Sequence, residues 1–368
     1  MKKIIIVAPI SDSLINFRGD LIQDIKNKGC EVITVSPAPS DQYSNIFKQK
    51  KISNISINFK RNKMNPLNDL ILLVKLFKIF KKQSPDIILS YAIKPVIWSG
   101  LASKFFKTDF YALITGLGFA FQGTSFKRKL LTSLVVFLYR VALKKCKAVI
   151  FQNKDNLNLF VEKGIVPRSK TQLVNGSGVD IEKFNVETFS KGNINFLCLS
   201  RLLTEKGLRE YAAAAKIVKK KFPSVVFNLV GAEDTSPDAI PLDEVNRWSD
   251  YINYKGSTMD VRSHIKNAHV YVLPSYHEGI PRSTLEAMSM GRAVITTDAT
   301  GCKETVENGI NGFKVSVRSI NELAEKMIWF IEHPEQVELM GIESRRIVVE
   351  KFDVHKINKK MLDIMNLQ

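Results

Sequence analysis

Two carboxylates, Glu278 and Glu286, lie eight positions apart in the run Ser-Tyr-His-Glu-Gly-Ile-Pro-Arg-Ser-Thr-Leu-Glu-Ala-Met, residues 275–288. The first falls on a Gly/Pro turn after an apolar strand, and the second falls one turn into a helix. A helix start offers unpaired backbone N–H groups and a positive dipole end, which suits a phosphorylated or hydroxyl-rich ligand better than a core. Upstream, Arg201 follows another apolar strand, Lys206-Gly207 lies five residues later at the next predicted helix start, and Gly231 ends a further strand.

The elements that must position these residues alternate along the chain. Apolar runs at 4–8, 31–36, 55–59, 87–91, 111–115 and 148–152 read as strands, with helices between most of them and the first helix over about 17–28. The pattern restarts at 194–200 and continues through 225–231, 252–255, 270–274, 293–297 and 312–315. Strands separated by helices of this length specify a parallel sheet covered on both faces. A chain of 368 residues also exceeds one ordinary core. The expectation is an α/β protein of two doubly wound, Rossmann-like domains: 1–180, a turn-rich linker at 181–193, and 194–350. A C-terminal helix over 351–368 is expected to cross back to the first domain. In such sheets ligands bind at the carboxyl ends of the strands, so two cations, a close-approach glycine and two carboxylates converge on one rim. That combination suits a nucleoside diphosphate sugar.

Composition narrows the setting. The hydrophobic fraction is 45% and the charged fraction 24%, as in well-packed globular proteins. Cys30, Cys146, Cys198 and Cys302 are far apart and show no paired spacing, so neither a disulfide framework nor a zinc site is expected, and the compartment reads as reducing and cytosolic. His264 and His269 miss the spacing of a zinc helix and read as structural. No Asp-x-Asp occurs, no metal site is suggested, and no cofactor is expected. No targeting signal is expected at the N-terminus, because Asp12 and Arg18 follow the first apolar run too soon. The longest apolar segment, 130–143, is interrupted by Arg140 and falls short of the ~20 residues of a membrane span.

Net charge is +18, which concentrates anionic partners. In 69–82, Leu72, Leu73, Leu76, Phe77, Ile79 and Phe80 interleave with Lys75, Lys78, Lys81 and Lys82, and 126–147 repeats the idea with lysines at both ends. A basic face beside a Phe/Leu face is the pattern of a helix lying on an anionic membrane surface. The alternative is an ordinary domain helix with a solvated lysine face.

Arg201, Lys206, the Glu278/Glu286 spacing, Asn308-Gly309-Ile310-Asn311-Gly312-Phe313 and Asn175-Gly176-Ser177-Gly178-Val179-Asp180 together resemble the retaining family 4 glycosyltransferases of GT-B fold, across the whole chain. Residues 90–100 and 112–119 look more narrowly like a branch that builds polysaccharide repeats on undecaprenyl diphosphate, which includes α-1,3-N-acetylgalactosaminyltransferases. The resemblance implies two domains facing each other across a cleft, a UDP-linked HexNAc donor and a polyprenyl-diphosphate-linked acceptor saccharide. It implies that Arg201 and Lys206 neutralise the departing diphosphate, that Glu286 binds ribose hydroxyls, and that Glu278 faces the transferred sugar. The backbone of Gly279, Ile280, Pro281 and Arg282 would approach the sugar or the phosphate, together with Gly231.

In the first domain Gly116 and Gly118 would let the backbone approach the diphosphate. Many relatives carry a histidine before this loop, where Thr115 stands here, and all five histidines lie in the second half. Asn16, Arg18 and Lys94 are candidates for the acceptor's diphosphate. The expected location is cytoplasmic, peripheral on the inner face of the membrane. A UDP-sugar 2-epimerase shares such a fold but needs acid/base carboxylates in the first domain. A basic nucleic-acid-binding protein lacks any recognisable module here, and no nucleic acid is expected.

Overall fold

The computed structural model describes residues 1–59, 66–117, 121, 126–189 and 192–367. The chain forms two compact units, Met1–Ser177 with His355–Gln368, and Gly178–Val354. The first contains β1 (Lys3–Val7), α1 (Ser11–Asn27), β2 (Glu31–Ser36), α2 (Asp41–Gln49), β3 (Ser53–Ser56), α3 (Pro66–Gln83), β4 (Ile87–Tyr91), α4 (Ile93–Ser103), β5 (Asp109–Ile114), α5 (Phe126–Leu143), β6 (Ala148–Phe151), α6 (Lys154–Glu162) and β7 (Thr171–Leu173). The second contains β8 (Asn195–Leu199), α7 (Leu208–Lys221), β9 (Val226–Val230), α8 (Leu242–Asn246), β10 (Asn253–Tyr254), α9 (Arg262–Lys266), β11 (Val270–Leu273), α10 (Arg282–Ser289), β12 (Ala293–Thr297), β13 (Gly312–Val315), α11 (Ile320–Glu332) and α12 (Glu335–Lys351). A last helix, α13 (Val354–Ile364), carries the chain back into the first unit.

Both sheets are parallel throughout the described residues, with orders β3-β2-β1-β4-β5-β6-β7 and β10-β9-β8-β11-β12-β13. Each order reverses direction beside its unit's first strand, between β1 and β4 and between β8 and β11. That switch point opens a crevice at the carboxyl ends of the two strands, because their connections leave in opposite directions. Continuous apolar runs such as Ile4-Ile5-Ile6-Val7 and Val270-Tyr271-Val272-Leu273 form the central strands and are fully buried, as strands covered on both faces must be. In the first unit α3, α4, α5 and α6 cover one face of the sheet through Leu72, Leu76, Val96, Tyr139 and Phe160. Helices α1, α2 and α13 cover the other through Leu14, Ile22, Phe47, Ile357 and Met361. Asn358 Nδ2 ties α13 to Asp24 Oδ2 of α1 at 2.7 Å.

Several boundaries differ from the sequence expectation. Helix α1 starts at Ser11 rather than near 17, because Ser11-Asp12-Ser13 supplies a first helical turn with an acidic residue suited to the dipole. Strand β3 ends at Ser56, short of the expected 55–59, and the three-residue edge strand β7 carries too little apolar pattern to be seen in advance. The stretch 181–193 lies within the second unit. There Asp180 Oδ1 accepts from the Glu182 and Lys183 N–H groups, and Arg345 Nη1 donates to the carbonyls of Ile181 and Phe184. The two crossings between units lie side by side, with Val179 N–H donating to Phe352 O at 2.9 Å and Val354 N–H to Val179 O at 3.0 Å.

Candidate functional site

In the second unit the segments after β8 and β11 meet at the switch point. After β8, a single 3-10 turn (Thr204–Lys206) leads into α7 through Gly207, whose φ of 68° lies in the left-handed region. A Cβ built there would stand 2.0 Å from Pro274 O, so only glycine lets this turn lie against the end of β11. The contact brings Lys206 Nζ to 2.7 Å from Glu278 Oε1. Ser275 Oγ donates to the same carboxylate oxygen at 2.9 Å, and Glu278 N–H donates to Thr300 O at 2.9 Å. Thr297 Oγ1 holds Ser275 O at 2.5 Å, which pins the turn that carries the carboxylate.

Burial works against the Lys206 charge, but the Glu278 carboxylate, with Glu205 behind it, outweighs it and holds the ammonium above the usual lysine value. Lys206 is therefore a fixed cation at neutral pH, with more N–H donors than Glu278 alone uses. Arg201 stands apart from this pair. Its guanidinium binds Asp234 on the segment after β9, and Asp234, despite partial burial, is held below the usual carboxylate range by hydrogen bonds from Ser236 and by Arg201.

Glu286, on α10, is paired at i,i+4 with Arg282, whose Nε lies 3.1 Å from Glu286 Oε1. Beneath them Tyr271 OH donates to Ser283 Oγ at 2.6 Å, and Ser283 Oγ donates to Leu199 O at 3.1 Å, which locks the start of α10 to β11 and to the end of β8. Ile280 is buried, so only its backbone is offered to a ligand. Gly231 is a close-approach residue for a different reason than the sequence suggests: a Cβ there would lie 1.6 Å from Ser200 O. The glycine makes room for the chain's own β8 turn. Burial pushes the Cys198 and Cys302 thiols up to about 12, so neither is a nucleophile at neutral pH.

Burial also raises the Glu286 carboxyl above its usual range, against the pull of Arg282 and of Lys183. A carboxylate accepts ligand hydroxyls on both oxygens only when ionised, so ligand affinity that depends on Glu286 falls as pH drops through this raised pKa. Arg282→Met removes a charge that opposes protonation and is expected to shift that acid limb to higher pH. Calorimetric titration of a nucleoside diphosphate across pH checks this, and an unmoved limb would mean that Arg282 does not keep Glu286 ionised.

The first unit gathers a smaller set at its own switch point. Arg18 is buried in the second turn of α1, not at the helix start, with its guanidinium 5.5 Å from the centroid of the Tyr91 ring. With the Gln152 amide oriented to satisfy its neighbours, its oxygen accepts from Arg18 Nη2 at 3.1 Å and its nitrogen donates to Thr115 O at 3.3 Å. Gln152 thereby joins Arg18 to Thr115 across the ends of β4, β5 and β6. Asn16 instead donates to Tyr43 OH at 2.8 Å, and Lys94 pairs with Asp69 at 3.0 Å, stitching α4 to α3. Both candidate acceptor groups are thus engaged by neighbours within the first unit. A Cβ at Gly116 would meet nothing within 4 Å among the described residues, and Gly118 lies outside those residues.

Sequence reasoning did not find Asp234, Ser275, Gln152 or the Tyr271–Ser283 lock. Gln152 directly follows β6 and Asp234 lies in the loop four residues beyond β9, positions that could have marked them; Tyr271 reads as core, which it also is.

Comparison with known proteins bears on this arrangement. Residues 193–333 match the family described as "Glycosyl transferases group 1", and residues 4–153 match "Glycosyl transferase 4-like". An N,N'-diacetylbacillosaminyl-diphospho-undecaprenol alpha-1,3-N-acetylgalactosaminyltransferase of Campylobacter jejuni is 30% identical over 335 residues, covering 87% of each chain. The chain belongs to this glycosyltransferase family. The glycosyltransferase is also 26% identical over 304 residues to a UDP-Gal:alpha-D-GlcNAc-diphosphoundecaprenol alpha-1,3-galactosyltransferase of Escherichia coli, covering 77% of this chain and 76% of that one. Among solved structures, a glycosyltransferase from Rickettsia africae superposes with a TM-score of 0.79 at 19% identity, over 100% of this chain and 98% of the other. HepE of Anabaena, crystallised with UDP, superposes with a TM-score of 0.78 at 18% identity over 100% of both chains. The fold of the glycosyltransferase is GT-B.

Proposed function

We propose that the glycosyltransferase moves a hexose or N-acetylhexosamine, with N-acetylgalactosamine and N-acetylglucosamine foremost, from a UDP-sugar to an undecaprenyl-diphosphate-linked saccharide. The transfer serves assembly of an O-antigen, capsule or other glycan repeat unit, and the protein works as a peripheral enzyme on the inner face of the cytoplasmic membrane. The observation that carries this reading is the Lys206–Glu278 pair at the β8/β11 switch point, with Glu286 one turn into the following helix α10. The names of the Campylobacter and Escherichia relatives support the lipid-linked acceptor, and the UDP in the Anabaena structure supports the donor class.

In this reading Lys206 and Arg201 face the diphosphate, Glu286 takes the ribose hydroxyls, and Glu278 faces the sugar with the backbone of Gly279, Ile280, Pro281 and Arg282. Gly231, Thr115, Gly116 and Gly118 belong to the same donor set, and Asn16, Arg18 and Lys94 to the acceptor side. The acceptor oxygen forms a bond to the sugar's anomeric carbon as the bond from that carbon to the diphosphate oxygen breaks, on the same face, so the configuration is retained. The acceptor's proton passes to the departing phosphate oxygen. Lys206 and Arg201 stabilise the charge that grows on that phosphate, an interaction stronger in the transition state than in the ground state.

These cations are built into the fold, so transfer is expected to persist in EDTA; complete loss with rescue by magnesium or manganese would show that a divalent ion carries part of the charge. The reading as a whole is tested by incubating the protein with a panel of nucleotide sugars and a short polyprenyl diphosphate sugar, and weighing the products by mass spectrometry. A single added hexose or N-acetylhexosamine on the lipid-linked sugar supports it. A rearranged nucleotide sugar with no acceptor product would point to an epimerase.

A further inference from the structure

One side chain beside the Lys206–Glu278 pair is held by more than packing requires. Tyr276 lies in the turn after β11, between Ser275, whose hydroxyl binds the Glu278 carboxylate, and Glu278 itself. Its N–H donates to Glu205 O at 2.9 Å, so one backbone bond joins the turn that carries Lys206 to the turn that carries Glu278. Its hydroxyl donates to Glu210 Oε1, in the first turn of α7, at 2.6 Å. The Arg318 guanidinium lies over its ring, 4.6 Å from the centroid. The segment after β8, the start of α7 and the segment after β13 thus all converge on this residue.

Arg318 takes the third position of a tight turn between β13 and α11, closed by Ser319 N–H donating to Ser316 O at 3.1 Å. Its φ of 66° lies in the left-handed region, where glycine or asparagine is the usual occupant of such a position. An arginine there is strained. Ser319 already caps α11 by accepting from the Glu322 N–H, so the turn has no local need of a long side chain. What the arginine adds is a cation over the Tyr276 ring.

Glu210 holds the other end of the ring. Its Oε2 is buried and has no hydrogen-bond partner among the described residues, so the Tyr276 hydroxyl is what satisfies this carboxylate. Burial and the Glu210 carboxylate push the Tyr276 hydroxyl up to about 12, against the pull of Arg318, and it stays a donor throughout the neutral range. A phenylalanine would fill the same space with neither the carboxylate nor the strained cation.

We propose that Tyr276 is a positioning residue for the transfer reaction: clamped by Glu210 and Arg318, it fixes the Ser275–Glu278 turn against the turn that carries Lys206. The inference rests on the reading of the Lys206–Glu278 rim as the donor site. Tyr276 acts through Glu278 and Lys206, whereas the ribose is assigned to Glu286 on the separate helix α10, so loosening the clamp should slow turnover and leave nucleotide affinity nearly intact.

Arg318→Gly tests this with the least risk to the fold, because glycine relieves the strained backbone and the unfolding temperature should be unchanged or higher. Turnover is expected to fall by ~10-fold, with the KM for the nucleotide sugar and the affinity for UDP nearly unchanged, since small misplacements of reacting groups act on rate. Amide hydrogen exchange is expected to quicken over 203–207 and 275–279 while the rest of the second unit keeps its protection. Arg318→Lys returns a cation to the ring and should recover most of the rate. Tyr276→Phe keeps the ring, loses the bond to Glu210 and should show the same split between kcat and KM. Arg318→Gly and Tyr276→Phe proteins with the parent's turnover and exchange would overturn the proposal. So would slowed turnover with unchanged exchange, or an equal loss of UDP affinity, since the residues would then shape the pocket as a whole. If the parent chain transfers no sugar, quickened exchange in Arg318→Gly that Arg318→Lys reverses would leave the clamp standing and refute the rim as a donor site.

Discussion

Replacing Lys206 by Ala is expected to lower turnover by at least ~10²-fold, because in the proposed mechanism this fixed cation meets the departing diphosphate and acts mainly on the transition state. The substitution also leaves Glu278 in place at a position only 15% exposed, with Ser275 Oγ as its remaining described side-chain partner. Breaking one side of such a pair costs about 3 kcal/mol of stability, so lost activity alone would be ambiguous. Lys206→Met/Glu278→Gln removes both charges and should recover much of the melting temperature without recovering turnover. If the double variant regained activity along with stability, Lys206 would be a structural cation. Arg201→Ala is expected to lose turnover in the same range with a smaller stability change, since Arg201 is more exposed than Lys206, at 42% against 13%.

Gly231→Ala is the second large effect. The new Cβ would be 1.6 Å from Ser200 O and 2.6 Å from its carbonyl carbon, and both are backbone that cannot rotate away. Relief requires the turns after β8 and β9 to part, at a cost of about 3 kcal/mol. Arg201 follows Ser200 directly, so the same displacement moves the guanidinium, and the protein that remains folded should turn over more slowly. Gly116→Ala is the natural control for stability, since its Cβ would meet nothing within 4 Å among the described residues. Denaturant unfolding and single-turnover rates on both variants check this. A Gly231→Ala protein with wild-type stability and rate would mean the two turns are looser than their geometry indicates.

Much of this architecture was legible in the sequence because doubly wound sheets advertise themselves. Runs such as Val270-Tyr271-Val272-Leu273 leave no polar face, which only a sheet covered on both sides tolerates. The convergence of Lys206 and Glu278 was legible for the same reason: both lie in the segments that follow β8 and β11, which flank a reversal of strand order, and topology brings such segments together. What sequence could not show was how each charge is held. Arg201 and Lys206 read alike as neighbouring cations, yet one is bound to Asp234 and the other to Glu278, a difference set by where separate strands end. Arg282 read as backbone approaching a ligand, and its side chain proves to hold Glu286.

The first unit was harder for a related reason. Lys94 and Arg18 are equally plausible rim cations by position, but Lys94 meets Asp69 across two helices, while Arg18 is buried beside Tyr91 and Gln152.

The central claim is that the β8/β11 rim of the second unit holds a nucleoside diphosphate sugar through Lys206, Glu278 and Glu286. Direct calorimetric titration of UDP into the purified chain and into Glu286→Ala and Glu278→Gln tests it without any acceptor. The account predicts that UDP binds the parent chain, that Glu286→Ala binds at least ~10-fold more weakly for loss of hydrogen bonds to the ribose, and that Glu278→Gln binds nearly as well as the parent, since its sugar is absent from UDP. No binding of UDP to the parent chain, or equal loss in both variants, would contradict it.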